Sequence, residues 1–355
     1  MGDGRKDTMK PIPVTHGGTD ALGVPAHDFS TNRNACGPCP QALDMLAQAH
    51  AAQYPDPQYT ALRARLAEFH GVPAERIVIA ASASDFIHRI TMHAAREGAA
   101  VASLPAHHYG DYAHAAQVWR LHQAARDGIT EAGPGLHWAC APSSPLGRPE
   151  DVWPLWSEPA PPGTWRVIDC AYAPLRLEPG MEPAVPSQVR DAWQMWTPNK
   201  ALGMTGVRAA YAIAPEAVPH DEIDALRALS PSWPVGAHGE AMLTAWTAPA
   251  TRQWLAQSLQ RLRDWKAQQL DLVQRLGWQV LPGSQANYFV ARWPQAQQGD
   301  AMQTRLAQLR AQGIKLRDCD SFGLPGCVRM GVLTPASQNA LLAAWQPMEK
   351  HHAIE

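Results

Sequence analysis

This 355-residue chain has no apolar run long enough to cross a bilayer as a helix. Its opening, Met1-Gly-Asp-Gly-Arg-Lys-Asp-Thr-Met-Lys10, lacks the apolar core of a secretory signal. Both absences predict a cytoplasmic protein with no membrane partner. Charge imbalance is small: 30 basic and 32 acidic residues leave a formal net charge of −2. Such a chain has no electrostatic case for binding nucleic acid. Cysteine is scarce, at six residues, and in a cytoplasmic setting these are expected as thiols. No repeat is visible, which argues against a solenoid.

What is present is a globular composition, 46% hydrophobic and 17% charged. The length suggests two domains. Tryptophan (14) and proline (32) are abundant. Some of both fall in Val152-Trp-Pro-Leu-Trp-Ser-Glu-Pro-Ala-Pro-Pro162, which reads as a surface connection. Cys36-Gly-Pro-Cys39 has thioredoxin-type spacing, but that motif needs a helix start after a strand. Here Asn32-Arg-Asn-Ala35 precedes it and Pro40 follows. Two cysteines are also half of a tetrahedral zinc set. The segment reads as a Gly/Pro turn, and no metal site is expected.

Residues 1–35 are polar and turn-rich and read as an arm. Leu62, Leu66 and Phe69 share one helical face, predicting a helix over 59–70. Residues 76–80, 99–104, 165–169 and 207–213 read as strands, and 86–96 as a helix. This alternation predicts a largely parallel sheet covered by helices. Residues 237–276 read as one long helical region stopped by Gly277. A smaller α/β unit follows, with strands expected at 278–281, 287–291, 314–317 and 327–331 and a last helix at 337–345.

The chemistry centres on Thr197-Pro-Asn-Lys200-Ala-Leu-Gly203-Met-Thr-Gly206-Val-Arg208. A lysine in a loop is normally just solvated. This one has a hydroxyl three residues before it, glycines three and six after it, and an arginine eight after it. The array could place an amine, a hydroxyl and a guanidinium around one phosphate-bearing aldehyde. The segment resembles the cofactor-lysine segment of the class I/II aminotransferases, which use pyridoxal 5'-phosphate (PLP). The resemblance continues in order along the chain. It takes in Tyr54-Pro-Asp-Pro57, Ser82-Ala83-Ser84-Asp85, Tyr109-Gly-Asp-Tyr112, Asp169-Cys-Ala-Tyr172, and Arg317-Asp-Cys-Asp-Ser-Phe-Gly-Leu324 with Arg329.

The resemblance implies the aspartate aminotransferase-like fold of PLP-dependent transferases. That fold has a large domain with a mostly parallel seven-stranded sheet and a smaller α/β domain. The corresponding division is 1–45 for an arm joining the small domain, 46–236 for the PLP-binding domain, and 237–355 for a bridging helix and the small domain. It implies that Lys200 holds PLP as a Schiff base. Asp169 would keep the pyridine nitrogen protonated, Tyr172 would donate to the ring oxygen, and Tyr109 would stack on the ring. Ser82, Ala83 and Ser84 would offer N–H groups at a helix start to the phosphate, with Thr197 and Arg208 completing that shell. Tyr54 would reach the phosphate of a neighbouring subunit, giving a homodimer with shared sites. Arg329, Arg317 and Asn32 would contact a small amino-acid substrate. Read without the resemblance, Asp169 is a turn cap, Ser84 an N-cap, Tyr172 and Tyr109 packing aromatics, and Arg329 half of a structural ion pair.

Three positions depart from the family pattern. Ser144 stands where an asparagine usually bonds the ring oxygen, Asn199 precedes the lysine where Ser or Thr is common, and Gly236 replaces a further asparagine. The His16-Gly-Gly18 arm, followed by Phe29-Ser-Thr-Asn32, resembles the branch holding histidinol-phosphate aminotransferase and the threonine-phosphate decarboxylase of cobalamin biosynthesis. His-Gly-Gly points to the decarboxylase. The expectation is a PLP enzyme acting on a small phosphorylated amino acid. Decarboxylation is the narrower reading, with transamination of the histidinol-phosphate kind and a catalytically weak PLP scaffold as alternatives. A DNA-binding regulator on this fold would need extra length that the chain lacks.

Overall fold

The computed structural model describes residues 16–126, 134–178, 180, 183–295 and 298–350. The opening decapeptide lies outside them. Among the described residues, seven strands form the larger sheet. Their order is Ile77–Ala80, Ala210–Ile213, Ala192–Trp196, Thr164–Asp169, Gly135–Cys140, Val101–Leu104 and His122–Ala125. Only Ala210–Ile213 runs antiparallel to its neighbours.

Near-continuous apolar runs explain why the inner strands are buried on both faces, since successive side chains point to opposite sides. Ile77, Ile79, Tyr211 and Ile213 point to one side and pack on the helices Thr60–His70 and Ala237–Thr247. Val78, Ala80, Ala210 and Ala212 point to the other and meet Ala83–Arg96, Gly110–Val118 and His220–Ala228. The small alanines let the second helical layer approach closely.

The smaller sheet is antiparallel, in the order Arg317–Asp318, Cys327–Gly331, Tyr288–Arg292 and Gln279–Val280. Val328 and Met330 join its core with Phe289 and Ala291, under Leu272, Leu341 and Trp345. The two-residue period therefore turns Arg329 to the opposite face. The arm strand His27–Asp28 pairs in parallel with Ile314–Lys315.

Several expectations need correction. The expected 237–276 helix is two, Ala237–Thr247 and Pro249–Arg275, because Ala248 is extended ahead of a helix-starting proline. Gly277 follows with φ +76°, the left-handed stop expected of it. The expected 314–317 strand splits into Ile314–Lys315 and Arg317–Asp318, which pair with different partners. The helix Pro40–Ala47 and the strands His122–Ala125 and Gly135–Cys140 were not anticipated.

The 152–162 segment is a connection with an exposed second half, but its start packs inward. Val152 and Trp156 are fully buried against Ala139, Ile168 and Ala192, and the Arg166 guanidinium lies 5.8 Å from the Trp156 ring centre. Adjacent parallel strands need a crossover. This one covers the sheet with a single short turn of helix, Trp153–Trp156, so its tryptophans supply the buried area.

Candidate active site

The two sheets and the arm enclose a cavity of about 560 Å³. Every residue expected at the site lines it except Tyr54: Lys200, Asp169, Tyr172, Ser82, Ala83, Ser84, Tyr109, Ser144, Thr197, Arg208, Arg329, Arg317 and Asn32. Tyr54 is exposed and stacks on Trp233, with ring centres 4.4 Å apart.

Asp169 ends its strand with the carboxylate buried. Oδ1 accepts the Ala171 N–H at 2.8 Å and Oδ2 the Tyr112 hydroxyl at 2.6 Å. Burial pushes its carboxyl above the ordinary value, opposed by the Tyr112 bond, the Lys200 charge and the Ala171 N–H. Lys200 Nζ lies 5.3 Å from the Tyr172 ring centre, and Asn32 donates from Nδ2 to the Tyr172 hydroxyl at 3.2 Å.

The lysine loop is clamped from behind. Asn34 donates its N–H to Lys200 O (2.8 Å) and Nδ2 to Ala201 O (3.0 Å), and Cys39 N–H reaches Leu202 O (2.9 Å). Gly203 has φ +69°, and a Cβ there would lie 2.9 Å from Gly37 Cα, so no larger residue fits. This contact accounts for the Cys36-Gly-Pro-Cys39 segment: it is a strap over the loop that carries Lys200. Burial raises the Cys36 thiol, the opposite of a reactive thiolate.

Ser82 caps Ala83–Arg96, its Oγ accepting Asp85 N–H at 3.1 Å. The first N–H groups of that helix have no intrahelical acceptor and open on the cavity. Ser84 donates its hydroxyl to Asp111. Among the described residues Arg208 is exposed, with neither a carboxylate nor a hydrogen-bond acceptor. Thr197 Oγ1, Asn199 Oδ1, Asn32 Oδ1 and Arg329 Nε are buried without partners there. All four belong to residues lining the cavity, among eighteen such atoms in the described residues.

Arg329 donates to Ser144 Oγ at 3.3 Å and to Ser30 O at 3.1 Å. Ser144 therefore faces the arginine as an acceptor. Arg317 sits opposite Arg329 in register, donating to Asp318 O at 2.7 Å and Ser321 Oγ at 2.8 Å. Gly236 is exposed, with nothing within 4 Å of where a Cβ would be. His16 also lines the cavity. Two contributors escaped sequence reasoning. Phe322 lies under both arginines and Tyr112 lies behind Asp169, although the Tyr109-to-Tyr112 spacing on a helix was legible.

The donor set fits PLP: an amine, a buried carboxylate, and a helix N-terminus with a hydroxyl and a guanidinium for a phosphate. Comparison with known proteins agrees. A histidinol-phosphate aminotransferase from Jannaschia sp. (strain CCS1) is 28% identical over 354 residues, covering 94% of each chain. The histidinol-phosphate aminotransferase from Sinorhizobium meliloti in complex with pyridoxal-5'-phosphate has a TM-score of 0.72 at 19% identity, covering 90% of both chains. L-threonine-O-3-phosphate decarboxylase from Porphyromonas gingivalis has a TM-score of 0.72 at 21% identity, covering 91% of this chain and 99% of that one. At such identities these two structures establish the fold. A family model for aminotransferase class I and II matches residues 159–344, a span that includes Asp169, Lys200, Arg317 and Arg329. With those residues lining one cavity, the protein is a PLP-dependent enzyme belonging to the aminotransferase class I and II family.

Proposed function

We propose that the substrate is a small amino acid bearing a phosphate. The observation that carries this reading is the pairing of Arg329 and Arg317 on adjacent strands, both lining the cavity that holds Lys200 and Asp169. Two guanidiniums on one wall suit a substrate with two anionic groups. Arg329, with its buried Nε unpartnered, takes the carboxylate. Arg317 takes the phosphate, with His16 and Asn32 lining the same cavity.

The remaining roles follow the donor set. Ser82, Ala83, Ser84, Thr197 and Arg208 hold the cofactor phosphate, and Asp169 holds a proton on the pyridine nitrogen. Tyr172 bonds the ring oxygen and Tyr109 covers the ring. Lys200 would anchor the cofactor covalently and, as a free amine, move a proton at Cα. Tyr54 completes the phosphate site of a second copy. The arm (1–45), large domain (46–236) and small domain (237–355) bring these groups together. When bound, PLP supplies an electron sink for the bonds at the substrate Cα.

Which Cα bond breaks would be decided by how the side chains hold the substrate. An arginine gripping the carboxylate would fix that orientation. Held for loss of the carboxylate as CO₂, the substrate would receive a proton at Cα from Lys200. This decarboxylation is the preferred reading, supported by the two-arginine wall and the His16-Gly-Gly18 arm. Held for loss of the Cα proton, the substrate would give that proton to Lys200, the start of transamination. The histidinol-phosphate aminotransferase relatives favour this second reading. Incubation with O-phosphothreonine and, separately, histidinol phosphate decides between them. Release of CO₂ and aminopropanol phosphate from the first is expected. Keto product from the second, with no CO₂ from the first, would replace decarboxylation by transamination.

A further inference from the structure

Tyr112 lies one helical turn beyond Tyr109, which starts the helix Gly110–Val118. Tyr109 lines the cavity, whereas Tyr112 turns beneath the sheet and is wholly buried. Its ring stacks nearly parallel on Trp138, 4.2 Å between centres and 10° between planes, and meets the Tyr109 ring edge-on at 5.8 Å. Two aromatic contacts hold the ring, and its hydroxyl donates to Asp169 Oδ2 at 2.6 Å with the Cys140 thiol also beside it. Burial holds the phenol far above its ordinary ionisation range; it stays a donor. Oδ1 is taken up by Ala171 N–H. Both carboxylate oxygens are thus oriented from the protein side, and their remaining lone pairs face the cavity.

We propose that Tyr112 is a positioning residue, whose phenol holds Asp169 as an oriented carboxylate toward the cofactor nitrogen. The inference rests on the assignment of Asp169 to that nitrogen. The titratable groups around Asp169 are Tyr112 and Asp111 from the helix, Cys140 from the neighbouring strand, Cys170, Tyr288 and Lys200. Among them Tyr112 opposes the upward push of burial most strongly, ahead of the Lys200 charge, while Asp111 adds to the push. Without the hydroxyl the carboxyl holds its proton to higher pH, and a neutral acid cannot stabilise a pyridinium.

Tyr112→Phe keeps the ring on Trp138 and removes only the donor. In the holoenzyme the acidic limb of kcat/KM, and the pH titration of the bound cofactor's visible absorption, should both move to higher pH. PLP should bind roughly tenfold more weakly, as expected for a lost hydrogen bond to a charged group. An unmoved limb with unchanged PLP affinity overturns the inference and leaves Tyr112 a packing residue. Should the variant fold poorly, ¹³C resonances of the aspartate carboxyls in the unmodified apoprotein decide. Asp169 ionised at pH 7 is required, and a protonated Asp169 overturns the inference. Asp169→Asn separates the underlying assignment: if its PLP affinity and turnover match the unmodified enzyme, that assignment fails whatever Tyr112 does.

Discussion

Arg317 and Arg329 stand directly opposite one another on adjacent antiparallel strands, and both guanidiniums lie over the Phe322 ring, at 4.7 and 5.5 Å from its centre. Like charges opposite each other repel, and Arg329 lowers the proton affinity of Arg317, second only to burial. The aromatic face between them offsets part of this, and a dianionic substrate would offset the rest.

Replacing Arg329 by lysine should weaken use of phosphorylated amino acids strongly. A lysine keeps the charge but not the two-pronged contact. Losing a buried charged contact costs about 2–5 kcal/mol, so kcat/KM should fall about 30-fold or more. Arg317→Lys should produce a comparable fall only with substrates that carry the phosphate. Steady-state kinetics on O-phosphothreonine and on threonine check both. Unaltered kinetics for Arg329→Lys on every phosphorylated amino acid would remove it from the substrate site.

Lys200→Ala should bind PLP without covalent attachment. Borohydride treatment followed by mass spectrometry should show PLP fixed to the unmodified protein and none fixed to the variant. A fixed adduct on the variant would place the anchor at another amine.

Tyr54 offers its ring to solvent, stacked on Trp233, whose indole N–H donates to Pro55 O at 3.0 Å. If that ring serves a second copy, Tyr54→Ala and Lys200→Ala chains should each lack activity, and mixing them after mild dissociation should restore part of it. Each hybrid dimer would then hold one site with both residues intact. A fully active monomer at micromolar concentration, by light scattering, would contradict the shared site.

His70 ends its helix beneath the larger sheet. The Tyr211 hydroxyl accepts the Trp246 indole N–H at 3.0 Å and lies 2.7 Å from His70 Nε2. Burial favours the neutral ring and lowers its pKa from 6.5 to about 4. The unfolded chain therefore binds the extra proton first. Stability present above about pH 6.5 should drain away as pH falls toward 4, by roughly 2 to 3 kcal/mol in all. In His70→Gln, whose amide can bond the same hydroxyl without titrating, the fall in melting temperature over that window should be shallower. Parallel curves for the two proteins would show that another group controls acid stability.

The sequence by itself determined whatever depends on near neighbours. Ile77–Ala80 is a strand and Gly277 ends a helix, each by local pattern and backbone preference, whereas the cap of the helix after that strand is Ser82 and not Ser84, the serine that the sequence pointed to. The Lys200 segment was legible for the same reason, since its hydroxyl, glycines and arginine lie within a dozen residues. Tertiary structure alone decided the rest. Trp156 is buried because a short crossover must cover the sheet, which composition does not reveal. Cys36 to Cys39 became a strap because Gly37 and Gly203 admit close approach of two distant loops. Tyr112 meets Asp169 across 57 residues of chain, and Arg317 faces Arg329 through strand register. Such contacts follow from where the sheets bring residues together, and local spacing carries no record of them.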